Sequence, residues 1–105
     1  MINFNDFKKL DIKTAKVLEA EKIKDSNKLL KLKVDIGDEE RQLVAGLANH
    51  YTPESLVDRN IIMIVNLEPK ELMGVESQGM LLAASGEDIA LLQPDKEVEP
   101  GTKIS

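Results

Sequence analysis

From Leu29 to Ile36 the chain alternates apolar and polar residues. Leu30, Leu32, Val34 and Ile36 fall on one face, and Lys31, Lys33 and Asp35 on the other. A period of two is that of a β-strand with one side on a core and the other in water. The rest of the chain is mostly short strand-like runs cut by turn residues. No segment between them is long enough for the helical crossover that joins parallel strands. The chain is therefore held to an all-β, mostly antiparallel architecture.

The other elements follow in order. Phe4, Phe7 and Leu10 recur at helical spacing, with Asn5 or Asp6 as a cap, and predict a single turn packed on the body as a plug. A first strand begins at Ile12. Val17 and Leu18 are adjacent apolar residues, so a strand there needs a bulge to bury both; a helix-like set lies in the same segment, but the strand is the reading taken. Lys24-Asp25-Ser26-Asn27-Lys28 is a turn by composition, and Gly37-Asp38-Glu39-Glu40 a hairpin turn. Arg41–Leu47 reads as a third strand, with Gly46 marking a bulge or a close backbone approach. Thr52 and Pro53 are the N-cap and first position of a short helix. Ile61–Val65 is a strand buried on both faces, Met80–Ala84 another, and Ile89–Leu92 a short last one. Pro94 and Pro100-Gly101 mark an irregular tail. Five antiparallel strands with a short helix between the third and fourth, plus extra C-terminal strands, form the pattern of an OB-fold, a five-stranded Greek-key barrel. Residues 1–105 are expected to make one domain.

Composition narrows the function. With no Cys, thiol catalysis, disulfides and thiolate metal sites are excluded. No run of about 20 apolar residues spans a membrane, and MINFNDFKK lacks the order of a signal peptide, so a cytoplasmic protein is expected. Phe4, Phe7 and Tyr51 are the only aromatics, too few for an aromatic base-stacking platform. Net charge is −5, unevenly spread: residues 1–36 carry +3 and residues 37–105 carry −8. The basic share lies at Lys22, Lys24, Lys28, Lys31 and Lys33. Lys31 and Lys33 stand about 7 Å apart on one strand face, near the spacing of successive phosphates; a solvated face is the plainer reading of the same charges.

Nothing forms a catalytic or metal constellation. His50 is the sole histidine, with no nucleophile patterned beside it. Gly74-Val75-Glu76-Ser77-Gln78-Gly79 is one residue too long for a nucleophile elbow and precedes a strand rather than a helix. There is no phosphate loop, and no clustered His or Cys for zinc. The expectation is a binding module without cofactor or metal, not an enzyme.

The 14 residues from Asn66 to Gly79 exceed the four to six or so of an ordinary connection. Leu67, Leu72, Met73 and Val75 are apolar enough to anchor them, which predicts a structured binding loop. Five blocks, Asp6–Ile12, Lys28–Gly37, Val44–Leu47, Asn66–Lys70 and Met73–Ala83, resemble the tRNA-binding domain family in order and spacing. That family includes the C-terminal domain of methionyl-tRNA synthetases, free-standing dimeric tRNA-binding proteins and a cytokine domain. The resemblance implies an OB-fold, a homodimer, and binding of tRNA by shape. It implies an RNA face made of Lys28, Lys31, Lys33, Asn66, Lys70, Ser77, Gln78 and Met80. The lysines would neutralise phosphates. Asn66, Ser77 and Gln78 would hydrogen-bond 2′-hydroxyls or base edges; for Asn66 and Ser77 capping of the loop's own backbone is the alternative. Met80 would touch an exposed base or sit in the core. The partners implied are tRNA and methionyl-tRNA synthetase. Two alternatives stay open: a peptide-binding chaperone of the same fold using Met63, Met73 and Met80, and a synthetase assembly module. Ile89–Leu92 and Val98–Ile104 are the expected dimer surface.

Overall fold

The structure is a computed structural model describing residues 1–105. Helix α1 (Phe4–Lys8) leads into β1 (Ile12–Lys22), β2 (Leu30–Asp35), β3 (Glu40–Ala45), α2 (Pro53–Leu56) and β4 (Asn60–Ile64). The strands β5 (Lys70–Leu72), β6 (Val75–Ser77), β7 (Met80–Leu81), β8 (Ala83–Ser85) and β9 (Ile89–Leu91) follow. Five strands form one antiparallel sheet in the order β3-β2-β1-β4-β7. It curls until β3 approaches β7, giving the nearly closed barrel of an OB-fold, with α2 between its third and fourth strands. Alternation dictates the filling. Leu30, Leu32 and Val34 of β2 are fully buried and meet Val17, Leu43, Ile61 and Met63 inside. The register of β1 shifts between Val17 and Glu19; this bulge buries Val17 and leaves Leu18 half-buried. Thr52 caps α2, accepting from the Ser55 amide at 3.3 Å, and Leu56 drops into the core.

Several expectations are corrected. Helix α1 is no plug: none of its residues is buried, and Phe4 stacks only on Phe7. Its cap is Asn3, whose Oδ1 accepts from the Asp6 amide at 2.9 Å. Gly46 has no close neighbour where a Cβ would stand, so it marks neither a tight approach nor a bulge; β3 has ended at Ala45. Met80–Ala84 is not one buried strand. It divides into β7, paired with β4, and β8, paired with β9, and Met80 is exposed. The long insert is not a loop but largely the hairpin β5–β6.

The tail is pinned rather than irregular. β2 ends opposite Lys16, so one edge of β1 from Ile12 to Thr14 is left open, and residues 99–104 cover it. Thr14 donates from Oγ1 to the Glu99 carbonyl and receives the Thr102 amide, and the Ile104 amide donates to the Ile12 carbonyl at 2.8 Å. Gly101 makes this possible: its φ is +82° and a Cβ there would strike the Ile36 carbonyl. Gly101→Ala should free the tail from β1 without unfolding the barrel. Because residues 99–104 lie outside the five barrel strands and can detach without unpairing them, the loss is capped at about 1–2 kcal/mol. Faster proteolysis near residues 99–104, with the barrel intact, checks it.

Candidate nucleic-acid interface

The outer face of β1–β2–β3 forms a groove of about 550 Å³ in which Lys31, Lys33, Arg41, Gln42 and Gln78 come together with Glu19, Glu21 and Glu40. Register explains the placement. Lys31 and Lys33 are the outward residues of β2, with Glu21 and Glu19 beside them on β1 and Val44 and Gln42 on β3. The β1–β2 loop, carrying Lys24 and Lys28, lies at one end of this face. The β5–β6 hairpin packs against β3 with its tip turned toward Lys22, Lys24 and Lys31.

The lysines are not bare. Lys31 Nζ lies 2.7 Å from Glu21 Oε1, and Lys33 Nζ 3.3 Å from Glu40 Oε1. The basic stripe is therefore balanced in its middle. Its unpaired cations are Lys22, Lys24 and Lys28, toward the loop end. Both ion pairs are partly solvated, and such pairs are worth only ~0–1 kcal/mol each. A phosphate can exchange with either carboxylate at little cost.

The polar residues of the insert close the barrel. As an edge strand, β3 would leave donors unpaired. The Val44 amide instead donates to Ser77 Oγ at 3.0 Å, and the Gln42 amide to Gln78 Oε1 at 3.0 Å. Ser77, only 3% exposed, donates its own hydroxyl hydrogen bond to the Gly79 carbonyl at 2.9 Å. This also explains why Val44 is buried on the outward side of β3: Ser77 and the hairpin cover it. Asn66 sits at the far rim, accepting from the Asp11 amide at 2.9 Å and donating to the Lys9 carbonyl at 2.7 Å. Lys70 and Met80 are exposed and line a second, more apolar cavity of about 460 Å³ with Val44, Leu67, Leu72 and Ser77. The structure thus brings Lys31, Lys33 and Gln78 to one groove and Lys70, Ser77 and Met80 to its neighbour. The two are joined across β3 and β6. Lys28 lies at one end and Asn66 at the other.

Sequence reading missed Arg41. Its Nη1 donates to the Val65 carbonyl at 3.0 Å and the Gln78 carbonyl at 3.3 Å, and its Nη2 to Glu39. It ties β3 to the end of β4 and to the insert. An arginine beginning a strand after an acidic turn is the only signal, and it is indistinguishable from a solvated charge. His50 and Asp88 were also not linked: Nδ1 and Oδ1 lie 2.6 Å apart, joining the segment after β3 to the β8–β9 turn. That hydrogen bond, then the Ile89 amide, holds the Asp88 carboxyl below its ordinary value of 3.8. A lowered carboxylate stabilises the fold above its unfolded pKa, and the contribution fades as pH falls through the lower folded value. Asp88→Asn should therefore lower the urea midpoint at pH 5, with the gap to wild type closing toward pH 2.

No helix is long and apolar enough to cross a membrane. The family model described as "Putative tRNA binding domain" matches residues 12–103. The chain is 54% identical over 104 residues to a methionine–tRNA ligase of Methanococcus aeolicus and 56% identical over 105 residues to that of Thermotoga maritima. Each alignment takes in 99% of this chain, but the chain spans only 16% and 17% of those curated relatives. Among solved structures, a MetRS related protein from Pyrococcus horikoshii superimposes with a TM-score of 0.94 at 42% identity, covering 100% of this chain and 98% of that one. The chaperone CsaA from Bacillus anthracis gives 0.92 at 36%, covering 100% and 99%. With the barrel, the framed strand face and a family match over nearly its whole length, the chain belongs to the tRNA-binding domain family.

Proposed function

We propose that residues 1–105 act as one non-catalytic module that binds tRNA by shape, as a homodimer in the cytoplasm, in the service of methionyl-tRNA synthetase. The observation that carries this is the β2–β3 face with the β1–β2 loop and the insert around it. In OB barrels this face and these two loops hold oligonucleotides. Lys28, Lys31, Lys33 and Lys70 contact phosphates, and Met80 gives an apolar contact beside Lys70. Gln78 lines the groove, its oxygen holds β3, and its amide nitrogen makes no hydrogen bond within the chain, so it is available to RNA. Asn66 and Ser77 act by positioning the rim. The acidic body limits non-specific adhesion to other polyanions.

For the dimer, the uncovered apolar side of α1 (Phe4, Phe7) supplements the C-terminal elements Ile89–Leu92, whose Leu92 is exposed, and Val98–Ile104. Sedimentation at micromolar concentration reads the stoichiometry. A second reading has one specific support: the apolar cavity beside Met80, in a chain similar to a structure named as a chaperone. There an extended apolar peptide would be the ligand.

Binding of unfractionated tRNA measured across ionic strength separates the two. These four lysines on phosphates alone should make log Kobs fall with log salt at a slope of about −3 to −4, and any further lysine contact steepens it. No tRNA binding at low salt, with capture of an apolar peptide insensitive to salt, would overturn the tRNA reading in favour of the chaperone one. Co-purification of synthetase without RNA would favour an assembly module.

A further inference from the structure

Three residues other than glycine hold a positive φ: Asp25 at 67°, Asp58 at 73° and Met73 at 52°. Aspartate tolerates the left-handed region because its short polar side chain bonds locally. Methionine has no such compensation. Met73 and Gly74 (φ 77°) are the two-residue loop between Leu72 and Val75, which face each other in the β5–β6 ladder. Positive φ at both central positions makes a type I′ turn, for which Asn-Gly is the favoured pair. Met73 thus occupies the position where asparagine would fold better. It adds nothing to the core in exchange, being 58% exposed. Local backbone strain of this kind concentrates at functional sites.

Its surroundings indicate what it meets. The tip borders a recess of about 300 Å³, with Glu21, Lys22, Ile23, Lys24 and Lys31 on one side and Met73 and Val75 on the other. Lys31 is held by Glu21, while Lys22 and Lys24 make no ion pair. A flexible thioether wall facing free cations is complementary to a nucleotide turned out of its stack, with the base on the sulfur side and the phosphate on the ammonium side. Unpaired loops and ends are where RNA offers unstacked bases to a protein side chain, and methionine is among the apolar side chains that serve as wedges against bases.

We propose that the β5–β6 hairpin tip is a nucleotide subsite: Met73 packs on one unstacked base of a bound tRNA while Lys22 and Lys24 hold its phosphate. This rests on the tRNA reading and names a contact within it. The test is Met73→Asn, which relieves the turn. The variant should melt at the same temperature as wild type or higher, yet bind tRNA about tenfold more weakly, with an unchanged salt slope. Its affinity for a blunt RNA duplex without unpaired bases should match wild type. Lys22→Ala with Lys24→Ala should instead flatten the salt slope by about one to two units. Tip recognition is overturned if Met73→Asn binds tRNA within twofold of wild type, or weakens tRNA and duplex alike. It is also overturned if Met73→Asn keeps tRNA but loses an apolar peptide. If wild type itself binds no tRNA at low salt, the parent reading falls and this one with it, an outcome distinct from the others.

Discussion

Gly79→Ala is expected to cost about 3 kcal/mol, combining strain at a positive φ with overpacking. Gly79 has a φ of +116°, and a Cβ there would stand 2.6 Å from the Ile64 carbonyl oxygen and 2.8 Å from Met63 Cε. The Met63 methyl belongs to a flexible side chain, but the Ile64 carbonyl is backbone inside the β4–β7 pairing and has no room to give. Unlike Gly101, Gly79 lies between two anchored points, Ser77 of β6 bonded to β3 and Met80 of β7 paired with β4, so the chain cannot release locally. For a domain of this size the loss corresponds to a fall in melting temperature of roughly 10–20 °C. Thermal unfolding measures it. Loss below about 1 kcal/mol would mean that the barrel closure is looser than the distances state. Ser77→Ala tests the same seam from the other side. It strips the Val44 amide of its acceptor and the Gly79 carbonyl of its donor, for about 2 kcal/mol.

Lys31→Ala with Lys33→Ala is expected to weaken tRNA binding by about 30-fold at low salt and to flatten the log–log salt slope by about one to two units. The ion pairs set a second expectation of opposite sign. Glu21 and Glu40 now hold these two lysines. A phosphate that takes either lysine leaves a carboxylate beside it, which repels it. Glu21→Gln with Glu40→Gln removes both the competitor and the repulsion. It should tighten binding about three- to tenfold, with little change in stability because partly exposed pairs contribute little. A gel shift at two ionic strengths on both double variants reads both signs. If neither pair of substitutions moves the affinity, the outer face of β2 is not where RNA sits. The surface would then have to lie toward Lys28 and Lys70.

How much of this could be read in advance differs by residue. The alternation of Leu30, Leu32 and Val34 with Lys31 and Lys33 named β2 and its wet face, because side-chain direction in a strand is a local property. The cap at Thr52 and the lack of a crossover were legible for the same reason; the bulge after Val17 was legible as well, but it buries Val17 alone and not, as expected, Leu18 with it. They limited the chain to a small antiparallel barrel, and the family motifs pointed to RNA. The β5–β6 turn was not legible, since Met-Gly is a poor signal for a type I′ loop. The splitting of Met80–Ala84 was hidden too, because an apolar run does not say which neighbour each half will pair with.

The sequence by itself determined the kind of barrel, the identity of its inward face and the set of side chains available to a nucleic acid. Only the tertiary structure decided which of those side chains are free. Ser77 meets Val44 across 33 positions and Asn66 meets Asp11 across 55, while Lys31 and Lys33 each find a glutamate on a neighbouring strand or strand end. The physical reason is that a polar side chain's partner is set by barrel closure, which brings distant backbone groups within 3 Å, and no local pattern encodes that distance.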